Sequence, residues 1–142
     1  MDNESIKFKV IQMPYIYYNP NPLHKFTEDC VVRAISRLLE TDWDTVYLDL
    51  SAQGFIHKTV LTNDNIWGNY LAMKGYEMYP LPNTCPRCYS VAQFAEDHPY
   101  GKFLVKTPGH VIAVVDGNYY DSGDSGGEVP IYYWKEQRRH GN

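Results

Sequence analysis

The chain reads as an α+β domain, helical in its first two thirds and stranded in its last third. Three observations predict this. Apolar residues recur at helical spacing between Thr27 and Gly75, the period shortens to that of strands after Gly101, and Asp116-Gly117 separates two apolar runs as hairpin turns do. At 142 residues the chain fits a single domain, 1–142, large enough to bury a core. An apolar fraction of 44% and an aromatic fraction of 15% exclude a disordered segment. The net charge of -4, with Arg138 and Arg139 as its only basic cluster, argues against a nucleic-acid partner.

Taken in order, Ile6 to Met13 alternates as a strand does, and Tyr15 to Tyr18 leads into a rigid Asn19-Pro20-Asn21-Pro22 loop. A first helix is expected from Thr27 as N-cap, with Val31, Ala34, Ile35, Leu38 and Leu39 on one face. A second runs from Thr41 as cap, through Trp43, Val46, Tyr47 and Leu50, to Gly54 as terminator. Thr62 or Asn63 caps a third, whose stripe is Ile66, Trp67, Tyr70 and Leu71 and whose end is Gly75; the Trp and Tyr stripes of both helices are assigned to packing. Ser90 to His98 forms a short helix. Strands follow at Lys102–Lys106, His110–Val115, Asn118–Asp121 and Val129–Trp134, in an antiparallel sheet.

The chemistry concentrates at few positions. Cys30 falls in the first turn of a helix, where unpaired backbone N–H groups and the positive end of the dipole favour a thiolate. A nucleophile needs a base, and His110 opens a strand after Pro108-Gly109. With Asp116-Gly117 as a two-residue loop, Val115 faces Asn118, Ile112 faces Asp121, and His110 lies diagonal to Asp121, within side-chain reach. One more loop residue would shift the register and bring Asp124 opposite instead. Ser122 to Gly127 reads as a mobile loop beside the site. The oxyanion donors are the backbone N–H of Cys30 plus one group of the preceding loop, with Asn19, Asn21 and His24 as candidates.

Three cysteines cannot all pair, so at least one thiol is free, which favours a reducing cytoplasm. Cys85 and Cys88 have the spacing of half a zinc site, with His57 or His98 the only completing ligands; an ordinary loop is the preferred reading, a disulfide or redox pair the remaining one. The N-terminus has no secretory pattern and no stretch is long enough to span a membrane, so a membrane partner is not expected.

The order Asp29-Cys30-Val31-Val32-Arg33-Ala34-Ile35, then Gly109-His110-Val111-Ile112-Ala113-Val114-Val115, then an Asp ending the next strand, resembles the papain-like cysteine peptidase superfamily in the small forms of Gram-positive bacteria and their phages. The resemblance runs from Asn19 to Trp134. It implies a papain-like fold, with the nucleophile at a helix N-terminus packed on the sheet, and a Cys-His-Asp arrangement on Cys30, His110 and Asp121. Gly-His-Val is also similar to peptidoglycan-cleaving CHAP amidases, although the spacing from His to Asp, 121 − 110 = 11, is short for that group.

The expected function is hydrolysis of a peptide, isopeptide or amide bond through an acyl-enzyme. It requires no metal or organic cofactor, and the partner is a protein or peptide substrate in the cytoplasm of a bacterium or a phage host. Acyl transfer to an amine and peptidoglycan cleavage are neighbouring readings. From another class comes a non-catalytic interaction protein on the same scaffold, such as a phage-encoded inhibitor of a host factor.

Overall fold

A computed structural model describes residues 14–137. The Ile6–Met13 strand expectation and the Arg138-Arg139 pair fall outside these residues. The near-continuous apolar run from Val111 to Val115 is the key to the architecture, because a strand of that composition must be covered on both faces. This strand, β4 (His110–Val115), lies third in a six-stranded sheet ordered β1-β5-β4-β3-β6-β2, with β1 at Tyr15–Tyr17, β2 at Tyr76–Pro80, β3 at Lys102–Thr107, β5 at Asn118–Asp121 and β6 at Tyr132–Glu136. Since successive side chains alternate in direction, Val111, Ala113 and Val115 enter one core and Ile112 and Val114 another. The first core is closed by helices α1 (Cys30–Leu39), α2 (Trp43–His57) and α3 (Asp64–Met73), through Val32, Ile35, Leu38, Leu50, Trp67 and Leu71. The second is closed by α4 (Val91–Asp97), through Val91, Phe94 and Ala95.

Both central hairpins turn on two residues. Asp116 (φ 49°) and Gly117 (φ 85°) are both left-handed, as a type I′ turn requires, and the ladder pairs Val115 with Asn118 and Ala113 with Tyr120. Pro108-Gly109 joins Thr107 to His110, with Gly109 at φ 82°. The helices-then-sheet order and this register agree with the sequence. The sheet, however, is mixed rather than antiparallel, since β1 runs parallel to β5, pairing Tyr15 with Tyr119 and Tyr17 with Asp121. A three-residue strand carries no readable period. The strand β2 is not among the elements expected from the sequence. Pro80 is the last residue of an edge strand, where a missing N–H disturbs no ladder. The final strand begins at Tyr132 rather than Val129, after buried Pro130, which has no N–H to donate.

The N-cap positions of α1 and α2 lie one or two residues beyond the expected ones. α1 starts at Cys30 with Asp29 as N-cap, and Thr27 only accepts the Asp29 N–H through its carbonyl (2.8 Å). Asp42, not Thr41, caps α2, accepting from the Thr45 N–H at 2.8 Å, and Asn63 caps α3 at 2.9 Å. Ser90 and Gln93 form a full capping box on α4. Among the described residues no helix is long and apolar enough to cross a membrane.

Gly54 does not end α2, which continues to His57 and closes at left-handed Lys58. Its role is close approach: a Cβ there would sit 2.7 Å from the Thr59 carbonyl oxygen. An alanine in a helix ordinarily gains about 1 kcal/mol over glycine. Gly54→Ala is expected instead to cost about 1–3 kcal/mol, the range for overpacking. Urea unfolding at neutral pH checks this, and a raised midpoint would contradict it.

Candidate active site

The nucleophile candidate, Cys30, is the first residue of α1, and His110 is the first of β4; α1 packs on β4 through Val31, Ala34 and Ile35, which brings these two ends together. The Cys30 thiol lies beside the His110 imidazole and the Val111 backbone, and both lower its proton affinity. His110 Nε2 lies 2.6 Å from Asp121 Oδ2, which leaves Nδ1 as the ring atom for the thiol. The β4–β5 register makes this contact possible, as His110 and Asp121 sit diagonally on one face. Cys30, His110 and Asp121 are thus brought together, with Cys30 and His110 on a cleft of about 470 Å³ bordered also by Thr27, Val31, Trp67 and Lys106, and Asp121 behind the ring.

Asp121 is 3% exposed, and its carboxylate has four donors. Arg33 Nη2 (2.9 Å) and the Ser122 N–H (2.8 Å) meet Oδ1; His110 Nε2 and Ser125 Oγ (both 2.6 Å) meet Oδ2. Arg33, itself 5% exposed, also donates from Nη1 to Asp29, whose other oxygen accepts the Trp43 indole N–H at 2.9 Å. A buried line of alternating charge therefore runs from Asp29 through Arg33 and Asp121 to His110. Because the Asp29 carboxylate is occupied in this way, it caps none of the first amides of α1, which remain donors at the helix end beside the cleft.

These contacts set the proton affinities. The hydrogen bond that His110 gives to Asp121, and then its interaction with Cys30, raise the His110 pKa to about 10, against burial, which lowers it. Burial pushes the Cys30 thiol up, but the His110 and Val111 hydrogen bonds and the His110 and Arg33 charges outweigh it and hold the thiol below its ordinary value. Burial likewise opposes ionisation of Asp121, and the His110 and Ser125 hydrogen bonds with the positive charges overcome it. The arrangement favours a thiolate–imidazolium pair.

Several expected site residues lie elsewhere. Asp124 does not reach His110; its carboxylate accepts from the Tyr119 hydroxyl and the Gly126 N–H, because the two-residue hairpin keeps the register that selects Asp121. Asn19, Asn21 and His24 do not line the cleft of Cys30. Asn19 and Asn21 instead shape their own loop, accepting from the Asn21 and Leu23 N–H groups, and His24 is solvent-exposed. The loop from Ser122 to Gly127 is tied down rather than mobile. Ser125 is buried on Asp121, and α4 donates from Val91 to Glu128 and from Ala92 to Gly126. Cys85 and Cys88 lie in a loop, as expected, but are joined there in a disulfide, which removes the zinc candidate. His98 lies 2.7 Å from the Phe94 carbonyl, and no cluster of three metal-ligating side chains exists among the described residues.

Arg33, Asp29, Trp43 and Ser125 were not singled out from the sequence. The available signal was Arg33 itself, a charge between Val31-Val32 and Ala34-Ile35, one helical turn beyond Asp29. No family model, curated protein or solved structure matches the chain.

Arg33→Met should cost about 3–5 kcal/mol in urea unfolding, since two carboxylates lose their buried cation; a change below about 1 kcal/mol would count against the ionic core. A second expectation concerns pH. Between the ordinary values of 6.5 for histidine and 9.0 for cysteine, the unfolded chain keeps its proton on sulfur and the folded pair keeps it on the ring, so folding transfers no proton and stability is flat. Cys30→Ala uncovers the His110 contribution alone, which is full below 6.5 and is lost as pH rises towards the folded value. Unfolding midpoints should therefore decline from pH 6.5 to 9 in Cys30→Ala and not in the parent.

Proposed function

We propose that the chain is a papain-like thiol hydrolase acting on a peptide, isopeptide or amide bond. The observation that supports it most is that Cys30 and His110 meet in an open cleft with Asp121 bonded to the far nitrogen of the ring, the thiol held below its ordinary pKa and the imidazole above. In this reading the Cys30 thiolate attacks the carbonyl carbon, forming an S–C bond while the carbonyl electron pair moves to oxygen. The uncapped first amides of α1, Cys30 N–H among them, face that developing charge without moving. The His110 imidazolium then gives its proton to the leaving nitrogen as the C–N bond breaks. Water, deprotonated by the neutral imidazole, attacks the thioester and releases the thiolate. Asp121 fixes the ring orientation through Nε2, and Arg33 and Ser125 fix Asp121.

No metal or organic cofactor has a part in these steps. Replacement of water by an amine gives acyl transfer from the same thioester. The free Cys30 thiol agrees with the reducing cytoplasm expected from the sequence, whereas the Cys85–Cys88 disulfide does not, so the proposal includes no compartment.

The test is the pH dependence of iodoacetamide labelling, which reads Cys30 alone while Cys85 and Cys88 are bonded to each other. The parent should label near neutral pH along a profile displaced well below that of an ordinary thiol. His110→Ala should return the profile towards 9.0, because the imidazolium and its hydrogen bond are gone. An identical profile in the two proteins would sink the ion pair and favour a binding protein on this scaffold.

A further inference from the structure

Helix α2 is apolar on two sides. Val46, Leu50 and Gly54 face the core, yet Leu48, Phe55 and Ile56 on the outer side are 68%, 74% and 61% exposed, and Ala52 between them is exposed as well. A helix that only covers a core carries polar residues on its outer face. Here the outward positions recur at alternating spacings of four and three residues, through Asp44, Leu48, Ser51, Phe55 and Lys58, which is the spacing of the seam between two paired helices. Leu48, Phe55 and Ile56 border neither the Cys30 cleft nor those beside it, so the candidate active site makes no use of them.

The seam is polarised in charge. Asp42 and Asp44 stand at its N-terminal end and Lys58 at its C-terminal end, where Lys58 Nζ lies 4.1 Å from the centre of the Phe55 ring and so holds its cation at the edge of the apolar patch. A second α2 laid parallel would oppose aspartate to aspartate and lysine to lysine. Laid antiparallel about a two-fold axis at Ser51 and Ala52, it brings Asp44 beside Lys58 of the partner subunit and Leu48 beside Phe55 of the partner subunit, and each pair occurs twice. The residues at the axis are small, which lets the two helices approach closely. The acidic end also disfavours an anionic lipid surface as the occupant. The apolar surface bared by α2 is roughly 400–500 Å² per copy, so the pair buries roughly 1,000 Å², the lower bound of a specific interface. We propose that the outer face of α2 docks on the same face of a second copy of this chain, as an antiparallel two-fold helix pair that forms a weak dimer. The proposal stands apart from the hydrolase reading, since it uses none of the residues of the candidate active site.

The test is sedimentation equilibrium of the full chain over about 1 to 300 µM, with a monomer–dimer Kd of about 1–100 µM expected from an interface of this size. Leu48→Gln and Phe55→Gln should each weaken the dimer at least about tenfold, as loss of a central apolar contact does. Both side chains are exposed in the single chain, so urea midpoints measured below the Kd should stay at the parent's. Orientation is read by charge reversal. Asp44→Lys or Lys58→Asp alone should weaken the dimer several-fold, and the two together should restore most of it. Lys58 is left-handed, a conformation that aspartate adopts, so its reversal keeps the end of α2. A monomer mass at every concentration overturns the proposal and leaves the face to a protein of another sequence. A dimer that Leu48→Gln and Phe55→Gln leave intact overturns it as well, since another surface then pairs. A double reversal no tighter than the single ones overturns the antiparallel arrangement.

Discussion

The interaction on which the rest depends is the buried guanidinium of Arg33, held between Asp29 and Asp121. A charge this deep is tolerated only when paired, and here one cation compensates two carboxylates that serve different ends. Through Asp29 it anchors Trp43 and thus the start of α2. Through Asp121 it reaches β5 and, beyond it, the imidazole of His110. The planar fork of arginine suits this bridge, since its two terminal nitrogens can be aimed at different partners, which a lysine ammonium on a flexible stem cannot reproduce.

The sheet gives this bridge its precision. β4 is packed on both faces, so its register cannot slip without moving apolar side chains from one core to the other. His110 extends from the end of that strand and Asp121 from the end of its hairpin partner. Their separation is thereby set by a two-residue turn at the opposite end. The rigid part of the molecule and the chemical part are consecutive stretches of the same two strands.

The sequence was most legible where local chemistry dictates local structure. The Asp116-Gly117 turn specified its own hairpin, and the hairpin specified the pairing of His110 with Asp121 rather than Asp124. It was least legible where the partner is distant. β1 is three residues long and owes its existence to the open edge of β5. β2 went unanticipated, and it ends at Pro80, which an edge strand accepts. The cap of α1 was misplaced at Thr27, because the Asp29 side chain serves a tertiary ion pair and leaves the helix end bare. The oxyanion candidates Asn19 and Asn21 were selected by residue type, while their bonds are made to neighbours two to six residues away.

The long-range nature of the ion pair bears on how the protein comes into being. Arg33 and Asp121 are separated by 88 residues, and Tyr15 adds a bond to the Asp121 carbonyl from a position 106 residues earlier. During synthesis Cys30 leaves the ribosome well before His110 and Asp121, and the helices around it can form while the sheet is still incomplete. Until the last hairpin docks, the nascent chain therefore carries an ordinary cysteine. The lowered proton affinity of Cys30 is acquired only at the close of folding, after every other element is in place.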